Sequence, residues 1–168
     1  MNNPIRILGI DPGLQKTGWG VIIQNGSRLS FVASGLIKTD AKAPLSERLS
    51  TLNKTLQTII EQYAPHSAAV EETFVNANPQ SALKLGQARG VCVVTPATAG
   101  LPVGEYSANC IKKAVVGAGK AAKGQVGMMI RTLLPACGTP SEDEADALAV
   151  AICHAHHSQM LARIPEAV

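Results

Sequence analysis

Four acidic residues stand at positions where the surrounding sequence makes a carboxylate unusual. Asp11 follows the apolar run at residues 7–10, and Glu71 follows the apolar run at residues 68–70. Asp143 and Asp146 lie near the start of a helical pattern that is otherwise rich in Ala and Leu. Carboxylate oxygens bind hard divalent cations, and such cations act on phosphate groups in many enzymes. If the fold brings these four side chains together, they form a metal site for chemistry on phosphate.

Basic residues are concentrated in a different part of the chain. The segment 112–131 contains no Asp or Glu, and its cations are Lys112, Lys113, Lys120, Lys123 and Arg131. The net charge of +3 is only mildly basic, so this local cluster is the stronger indication of a nucleic-acid partner. Acids in one place and bases in another are what an enzyme that cleaves phosphodiesters requires.

Composition favours a single cytoplasmic domain. The chain has 168 residues, of which 46% are hydrophobic and only 3% aromatic, so aliphatic side chains must build the core. We expect one domain over residues 1–168, with a disordered tail beyond about residue 158. The cysteines are isolated from one another in sequence, which is typical of reduced thiols in the cytoplasm.

No apolar run approaches the length that spans a membrane, so we expect no membrane partner.

The order of the predicted elements favours an α/β fold. Strands are predicted at residues 5–10, 17–23, 29–37, 68–71 and 102–106. Helices are predicted at residues 45–63, 80–90, 108–116 and 125–134, with a further helix beginning after Ser141. We expect one mixed five-stranded sheet with helices on both faces.

This arrangement would bring the acids together. A strand that follows a helical crossover usually lies parallel to the first strand, so the carboxyl ends that carry Asp11 and Glu71 would be neighbours. Asp143 and Asp146 would share one face of their helix, and Ser141 with Glu144 predicts a capping box at its start. Clustered acids repel one another, and a pair of Mg²⁺ ions about 4 Å apart would offset that repulsion.

Several motifs together resemble the RuvC family of Holliday junction resolvases. They are the segment 7–13, the pair Thr17 and Gly18, the segment 81–90, and Asp143 with Asp146 followed by Ala, Leu and Ala. The likeness extends in order over nearly the whole chain, and the segment 81–90 is its most specific part. The resemblance implies a ribonuclease H-like fold, a homodimer, and metal-dependent paired nicking of four-way DNA junctions in recombination and repair. It also implies two Mg²⁺ ions per site, with Mn²⁺ as a substitute, and action together with RuvA and RuvB.

The resemblance also implies roles for individual residues. The catalytic residues would be Asp11, Glu71, Asp143, Asp146 and Lys112, and the four acids among them would hold the metal. The DNA-binding residues would be Phe74, Arg89, Lys112, Lys113, Lys120 and Lys123. Phe74 would stack on an unpaired base near the junction centre, and a place in the hydrophobic core is the alternative. Lys112 and Lys123 flank a glycine-containing loop and would lie near the scissile phosphate. Lys113 and Lys120 would contact phosphates further out, or would simply be solvated.

Two other functional classes compete with this interpretation. An ATPase related to actin or the sugar kinases also begins with a strand that ends in Asp and Gly, but it needs further glycine-rich loops and usually a longer chain. The segment 117–120 is similar to a phosphate-binding loop, yet Ala114 and Ala121 stand where that motif requires Gly and Ser or Thr. A junction-binding module without catalysis is the second alternative.

Two further features receive interpretations of their own. Gly86 and Gly90 lie four positions apart in the predicted helix 80–90, which makes that helix the candidate dimer interface; close packing against its own sheet is the alternative. His154, His156 and His157 are expected at the end of the final helix, against the negative end of its dipole, with a metal site as the alternative, and we assign them no role.

Overall fold

The computed structural model describes residues 3–72, 78–117 and 122–163, with the backbone alone at residues 123 and 160–163. The strands in this part of the chain are β1 (Ile5–Asp11), β2 (Lys16–Asn25), β3 (Arg28–Lys38), β4 (Ser67–Glu72) and β5 (Val103–Ser107). The helices are α1 (Leu45–Tyr63), α2 (Pro79–Thr98), α3 (Ala108–Val116), α4 (Lys123–Leu133) and α5 (Glu142–Arg163).

The strands form one mixed sheet in the order β3-β2-β1-β4-β5. The first three strands are antiparallel, whereas β4 lies parallel to both β1 and β5. Gly26 has a φ of 59° in the tight turn between β2 and β3, a conformation that glycine adopts without steric strain. The predicted five-stranded mixed sheet is confirmed.

Each face of the sheet is covered by helices, as the sequence predicts. Along β1, Leu8 and Ile10 point into the core beneath α1 and α2, and Ile7 points into the core beneath α5. The helices α3 and α4 pack in turn against α5. Because side chains alternate between the faces of a strand, Gly9 and Asp11 lie on the α5 side with Ile7.

Glycines on β1 and β2 allow α5 to lie directly against the sheet. A Cβ atom at Gly9 would stand 2.1 Å from the Ala147 carbonyl oxygen, and one at Gly18 would stand 2.1 Å from the Asp143 carbonyl oxygen. Both distances are far below van der Waals contact, so any side chain at these positions would push the helix away. Because Gly9 and Gly18 have no side chains, α5 can approach the sheet this closely.

Three helix boundaries differ from the prediction. The helix predicted to end near Gly90 continues to Thr98. Cys92, Thr95 and Pro96 in this extension are buried, and their packing outweighs the low helix propensity of the β-branched residues there. Helix α4 begins two residues earlier than predicted, at Lys123. Helix α5 is described as far as Arg163, whereas the sequence placed a disordered tail from about residue 158.

Candidate active site

Asp11 and Glu71 are placed side by side by two central strands. The parallel register pairs Ile10 with Val70, so the next residue on each strand is one of the two acids. Their carboxyl groups are close enough to share a hydrogen bond when Asp11 is protonated. Beyond Asp11, the buried Thr17 hydroxyl donates to the Gly13 carbonyl at 2.6 Å and closes the turn. The neighbouring Glu72 lies on the opposite face of β4, because consecutive side chains alternate.

Asp143 and Asp146 are placed by the start of α5, which is capped as predicted. The Glu144 carboxylate accepts the Ser141 backbone N–H at 3.0 Å, and the Ser141 hydroxyl accepts the Glu144 N–H at 3.3 Å. The Ser34 hydroxyl on β3 also donates to Glu144, at 2.9 Å. With Gly18 beneath the Asp143 backbone, the first turn of α5 is held against β2 and β3.

Burial and mutual repulsion raise the pKa of the carboxyl groups. The pKa of Asp11 is raised from 3.8 to about 8, first by burial and then by the charges of Glu71, Asp146 and Asp143. The pKa of Asp146 is raised from 3.8 to about 6, again first by burial and then by Glu71, Glu142 and Asp143. Asp11, Glu71, Asp143 and Asp146 therefore form one electrostatically coupled cluster.

Lys112 on α3 provides a positive charge beside this cluster. Burial raises the pKa of Glu71, and this rise is opposed by the hydrogen bond from Asp11 and by the charge of Lys112. The same lysine also opposes the rise at Asp146. Lys112 lines a cavity of about 240 Å³ together with Glu71, Glu142 and Asp146, so this lysine and the acids border the same space.

A second cavity of about 350 Å³ adjoins the first, since Glu142 and Asp146 line both. Arg131 on α4 lines this second cavity. The sequence shows Arg131 as part of the basic segment but does not single it out as a site residue, and Glu142 was not predicted at all. The sequence signal for Glu142 is its place in the first turn of a capped helix, next to Asp143.

The other predicted DNA-binding residues have varied placements. Arg89 donates through its Nε to the Glu71 carbonyl oxygen at 3.1 Å and forms an ion pair with Glu105, so it holds α2 against β4 and β5. Lys113 is exposed on α3. The backbone of Lys123 begins α4, while its side chain lies outside the described atoms. Phe74 and Lys120 lie outside the described residues.

The carboxylate cluster fits hard divalent cations. Its donors are all carboxylate oxygens, which are the ligands that Mg²⁺ and Mn²⁺ prefer. With no cation to offset the repulsion, Asp11 would retain its proton at neutral pH. Within residues 3–72, 78–117 and 122–163, no group of three carboxylates has its oxygens all within 4.8 Å of one another.

The histidine prediction is wrong in its placement, because α5 continues beyond these residues to Arg163. The segment 158–163 contains good helix formers and no proline, so nothing ends the helix at the histidines. His154 contacts the Tyr106 hydroxyl at 2.9 Å and the Ser67 hydroxyl at 3.1 Å.

In the described part of the chain no helix is long and apolar enough to cross a membrane.

Comparison with known proteins supports one family. The sequence model of the family described as "Crossover junction endodeoxyribonuclease RuvC" matches residues 7–154. The chain is 59% identical to a protein of that name from Paramagnetospirillum magneticum, over 95% of this chain and 98% of the relative. It is 60% identical to one from Xanthobacter autotrophicus, over 96% of this chain and 95% of the relative.

Comparison with a solved structure supports the same family at the level of the fold. The structure of T. thermophilus RuvC in complex with Holliday junction substrate superimposes with a TM-score of 0.87 at 33% identity, covering 93% of this chain and 96% of that one. The mixed sheet and its two helical layers are thus the ribonuclease H-like fold of that protein. The chain belongs to the family of RuvC crossover junction endodeoxyribonucleases.

Proposed function

We propose that this protein nicks four-way DNA junctions with the carboxylate cluster formed by Asp11, Glu71, Asp143 and Asp146. Membership of the family makes the chain a nuclease, and its relatives carry the name of junction endonucleases. The observation that supports the location of the site is the electrostatic coupling of these four acids, which come from two strand ends and one helix start. A protein that only bound DNA would gain nothing from such a cluster, since it repels phosphates.

Two divalent cations, with Mg²⁺ as the proposed ion and Mn²⁺ as a substitute, would be held by the four acids. When bound there, they would supply an activated water and charge stabilisation for the leaving 3′ oxygen. The chain's own contribution is to hold the carboxylates in place on elements that cannot easily move. The strand ends are central in the sheet, and the helix start is capped and rests on glycine.

Cationic residues beside the cluster would hold the DNA backbone. Lys112 lines the same cavity as Glu71 and Asp146, where its charge would stabilise the phosphate as negative charge develops. We assign Arg131, Lys113, Lys120 and Lys123 to phosphate contacts, and Phe74 to stacking on a base. For Arg89 we propose an indirect role, because its guanidinium already bonds the Glu71 carbonyl oxygen and pairs with Glu105.

A homodimer would provide the two active centres that paired nicking of a symmetric junction needs. The support is the outer face of α2, where Leu83 is 65% exposed and Val94 is 55% exposed. A Cβ atom at Gly86 or Gly90 would meet nothing within 4 Å, so these glycines do not serve packing against the sheet of their own chain. The stripe of Leu83, Gly86, Gly90 and Val94 is therefore the proposed dimer interface.

The remaining proposals follow from the family. We infer a single domain that acts with RuvA and RuvB on junctions. We also place the protein in the cytoplasm, where reduced cysteines persist. All four cysteines are free thiols, which supports a reducing compartment.

The experiment that tests the active site compares Glu71→Gln with Glu72→Gln on a synthetic four-way junction. The two glutamates are consecutive on β4 but lie on opposite faces of the sheet, so they form a matched pair. We expect Glu71→Gln to bind the junction and to lose at least about 100-fold in nicking rate with Mg²⁺, since one carboxylate donor is removed. Glu72→Gln should nick at the rate of the unchanged protein.

Linear duplex and EDTA serve as the controls for junction selectivity and metal dependence. Equal nicking by the two variants would show that the site lies elsewhere. Loss of junction binding in Glu71→Gln alone would instead give Glu71 a role in binding DNA rather than in catalysis.

A further inference from the structure

A cluster of two thiols and an imidazole lies between α3 and α5, away from the carboxylates. Cys110 is on α3, and Cys153 and His157 are on α5. The Cys110 and Cys153 sulfurs are 3.9 Å apart, and the Cys110 sulfur is 3.6 Å from Nε2 of His157. In the described part of the chain, this is the group of three potential metal ligands whose donor atoms all lie within 4.8 Å of one another.

These separations are close to those of a tetrahedral zinc site. With Zn–S bonds of about 2.3 Å and Zn–N bonds of about 2.0 Å, tetrahedral angles place two sulfurs about 3.8 Å apart and a sulfur about 3.5 Å from a nitrogen. The sulfur–sulfur distance of 3.9 Å and the distance of 3.6 Å from the Cys110 sulfur to Nε2 match these values within a few tenths of an ångström. The Cys153 sulfur lies 3.7 Å from the other ring nitrogen, Nδ1, and the three residues can each offer a donor atom within 4.8 Å of the others. A disulfide, by contrast, requires the sulfurs to approach to about 2.05 Å.

The hydrogen bonding of His157 leaves one ring nitrogen available to a metal. Its Nδ1 lies 2.9 Å from the Cys153 carbonyl oxygen, which can only accept, so Nδ1 carries the proton. In the neutral ring Nε2 then has its lone pair, and this nitrogen is the one beside Cys110. Histidine ligands in metal sites commonly donate their other N–H to a backbone carbonyl in this way.

The contacts around the cluster show why His157, and not His154, is the candidate ligand. Both nitrogens of His154 already have partners in Tyr106 and Ser67, so His154 is not a candidate ligand. The Tyr106 ring packs against His157 with the ring centroids 4.9 Å apart and limits the movement of the imidazole. Cys153 is buried and Cys110 is half-buried, so the cluster has one side from which an ion and a water ligand could enter.

We propose that Cys110, Cys153 and His157 form a binding site for Zn²⁺, distinct from the carboxylate centre. As the two Zn–S bonds form, each thiol releases its proton to solvent, and a water occupies the fourth position. Thiolate and imidazole are the ligands that Zn²⁺ favours, whereas the carboxylates favour Mg²⁺. The ion would fasten α3, which carries Lys112, to α5, which carries Asp143 and Asp146.

The test is titration of the full-length, reduced, EDTA-treated protein with Co²⁺, followed by Zn²⁺. Thiolate coordination gives a ligand-to-metal charge-transfer band in the near ultraviolet, which carboxylate coordination does not produce. We expect the band to saturate at one Co²⁺ per chain and to disappear when Zn²⁺ displaces the cobalt. Cys110→Ser and His157→Asn should each weaken cobalt binding by at least about 10-fold.

Two variants control for other sites on the same protein. Cys137→Ser removes a thiol outside the cluster, and Asp146→Asn removes a carboxylate, so both should keep the full band. Absence of the band from the unchanged protein, or an equal band in Cys110→Ser and His157→Asn, would overturn the proposal. A disulfide between Cys110 and Cys153 would lower the intact mass by two hydrogens, and Cys153→Ser would abolish that decrease. If this is observed and the reduced protein binds no metal, the zinc proposal is replaced by a disulfide.

Discussion

At the scale of single residues, protons and the proposed metal ions would compete for the same carboxylates. Burial beside three other acids lifts the pKa of Asp11 from 3.8 to about 8 in the metal-free protein. In the unfolded chain the same group ionises near its ordinary value. Between these two pKa values the folded state holds a proton that the unfolded state has lost, so rising pH favours unfolding.

The stability of the metal-free protein should therefore fall as the pH rises. We expect the free energy of unfolding in EDTA to decrease by on the order of 3 kcal/mol from about pH 5 to about pH 8, because Asp11, and Asp146 to a smaller extent, must ionise against their surroundings. Excess Mg²⁺ should remove most of this decrease. Urea denaturation followed by circular dichroism at several pH values measures the effect.

Asp11→Asn supplies the sharpest comparison in that experiment. The variant should be more stable than the unchanged protein near pH 8 in EDTA, although it lacks an active-site residue. Glu61→Gln, which changes an exposed acid on α1, should behave as the unchanged protein does. A stability that is independent of pH in EDTA would mean that neither burial nor mutual repulsion raises the pKa of Asp11 and Asp146 in the folded protein.

The residues differ in how far the sequence could predict them. Asp11 and Glu71 were predictable because an acid at the end of an apolar run stands out. Arg131 and Glu142 were not, since Arg131 is one of several cations in the segment 112–131, Glu142 is one of several acids at the start of α5, and only the cavities identify them. Cys110 and Cys153 are 43 residues apart, and no spacing rule connects two thiols across a helix pair.

At the scale of elements, the contact between α5 and the sheet determines the position of two of the four acids. The Cβ position of Gly18 is 2.1 Å from a backbone oxygen of Asp143 itself. A backbone atom in a packed helix cannot rotate away as a side chain can, so added bulk must move the helix as a whole.

Gly18→Ala should therefore impair catalysis without changing any catalytic side chain. We expect a loss of about 1–3 kcal/mol in the free energy of unfolding and a reduction in nicking rate of at least about 10-fold, because the start of α5 is displaced from Asp11. Thermal denaturation and the junction assay together provide the measurement.

Gly20→Ala is the matched comparison on the same face of β2. A Cβ there would lie 2.6 Å from Cδ2 of the Leu148 side chain, which can adjust more readily than a carbonyl group. We expect a smaller loss of nicking than in Gly18→Ala. An equal loss in both variants would mean that the general fit of α5, rather than the placement of Asp143, governs activity.

The elements themselves were largely predictable, while their lengths were not. Alternating and helical hydrophobic patterns locate the strands and helices, and the capping box locates the start of α5. The segment 91–95 has β-branched residues that do not favour a helix, yet burial of Cys92 and Thr95 extends α2 through it. Such extensions depend on tertiary packing, which local sequence does not contain.

At the scale of the whole molecule, the outer face of α2 determines the predicted assembly. Gly86→Leu adds bulk where the isolated chain has open space, and leucine favours a helix by about 1 kcal/mol over glycine. The chain should fold at least as stably as before, but two copies could no longer approach closely. Sedimentation at micromolar concentration should show a dimer for the unchanged protein and mainly monomer for Gly86→Leu.

Gln57→Leu is a suitable control, because it adds the same side chain to an exposed position on α1. It should remain dimeric and nick both strands of a junction in one encounter, whereas Gly86→Leu should yield singly nicked products. A monomeric unchanged protein in the presence of junction DNA would contradict the proposed interface.

The contribution of α5 to both the core and the active site also affects how the protein is made. The ribosome produces β1 first, and α5 follows after all five strands. Until α5 has emerged, one face of the sheet has no cover and two of the four acids do not yet exist in the chain. If these acids are catalytic, as proposed, the incomplete chain could not cleave DNA, because the helix that closes the hydrophobic core also completes the proposed active site.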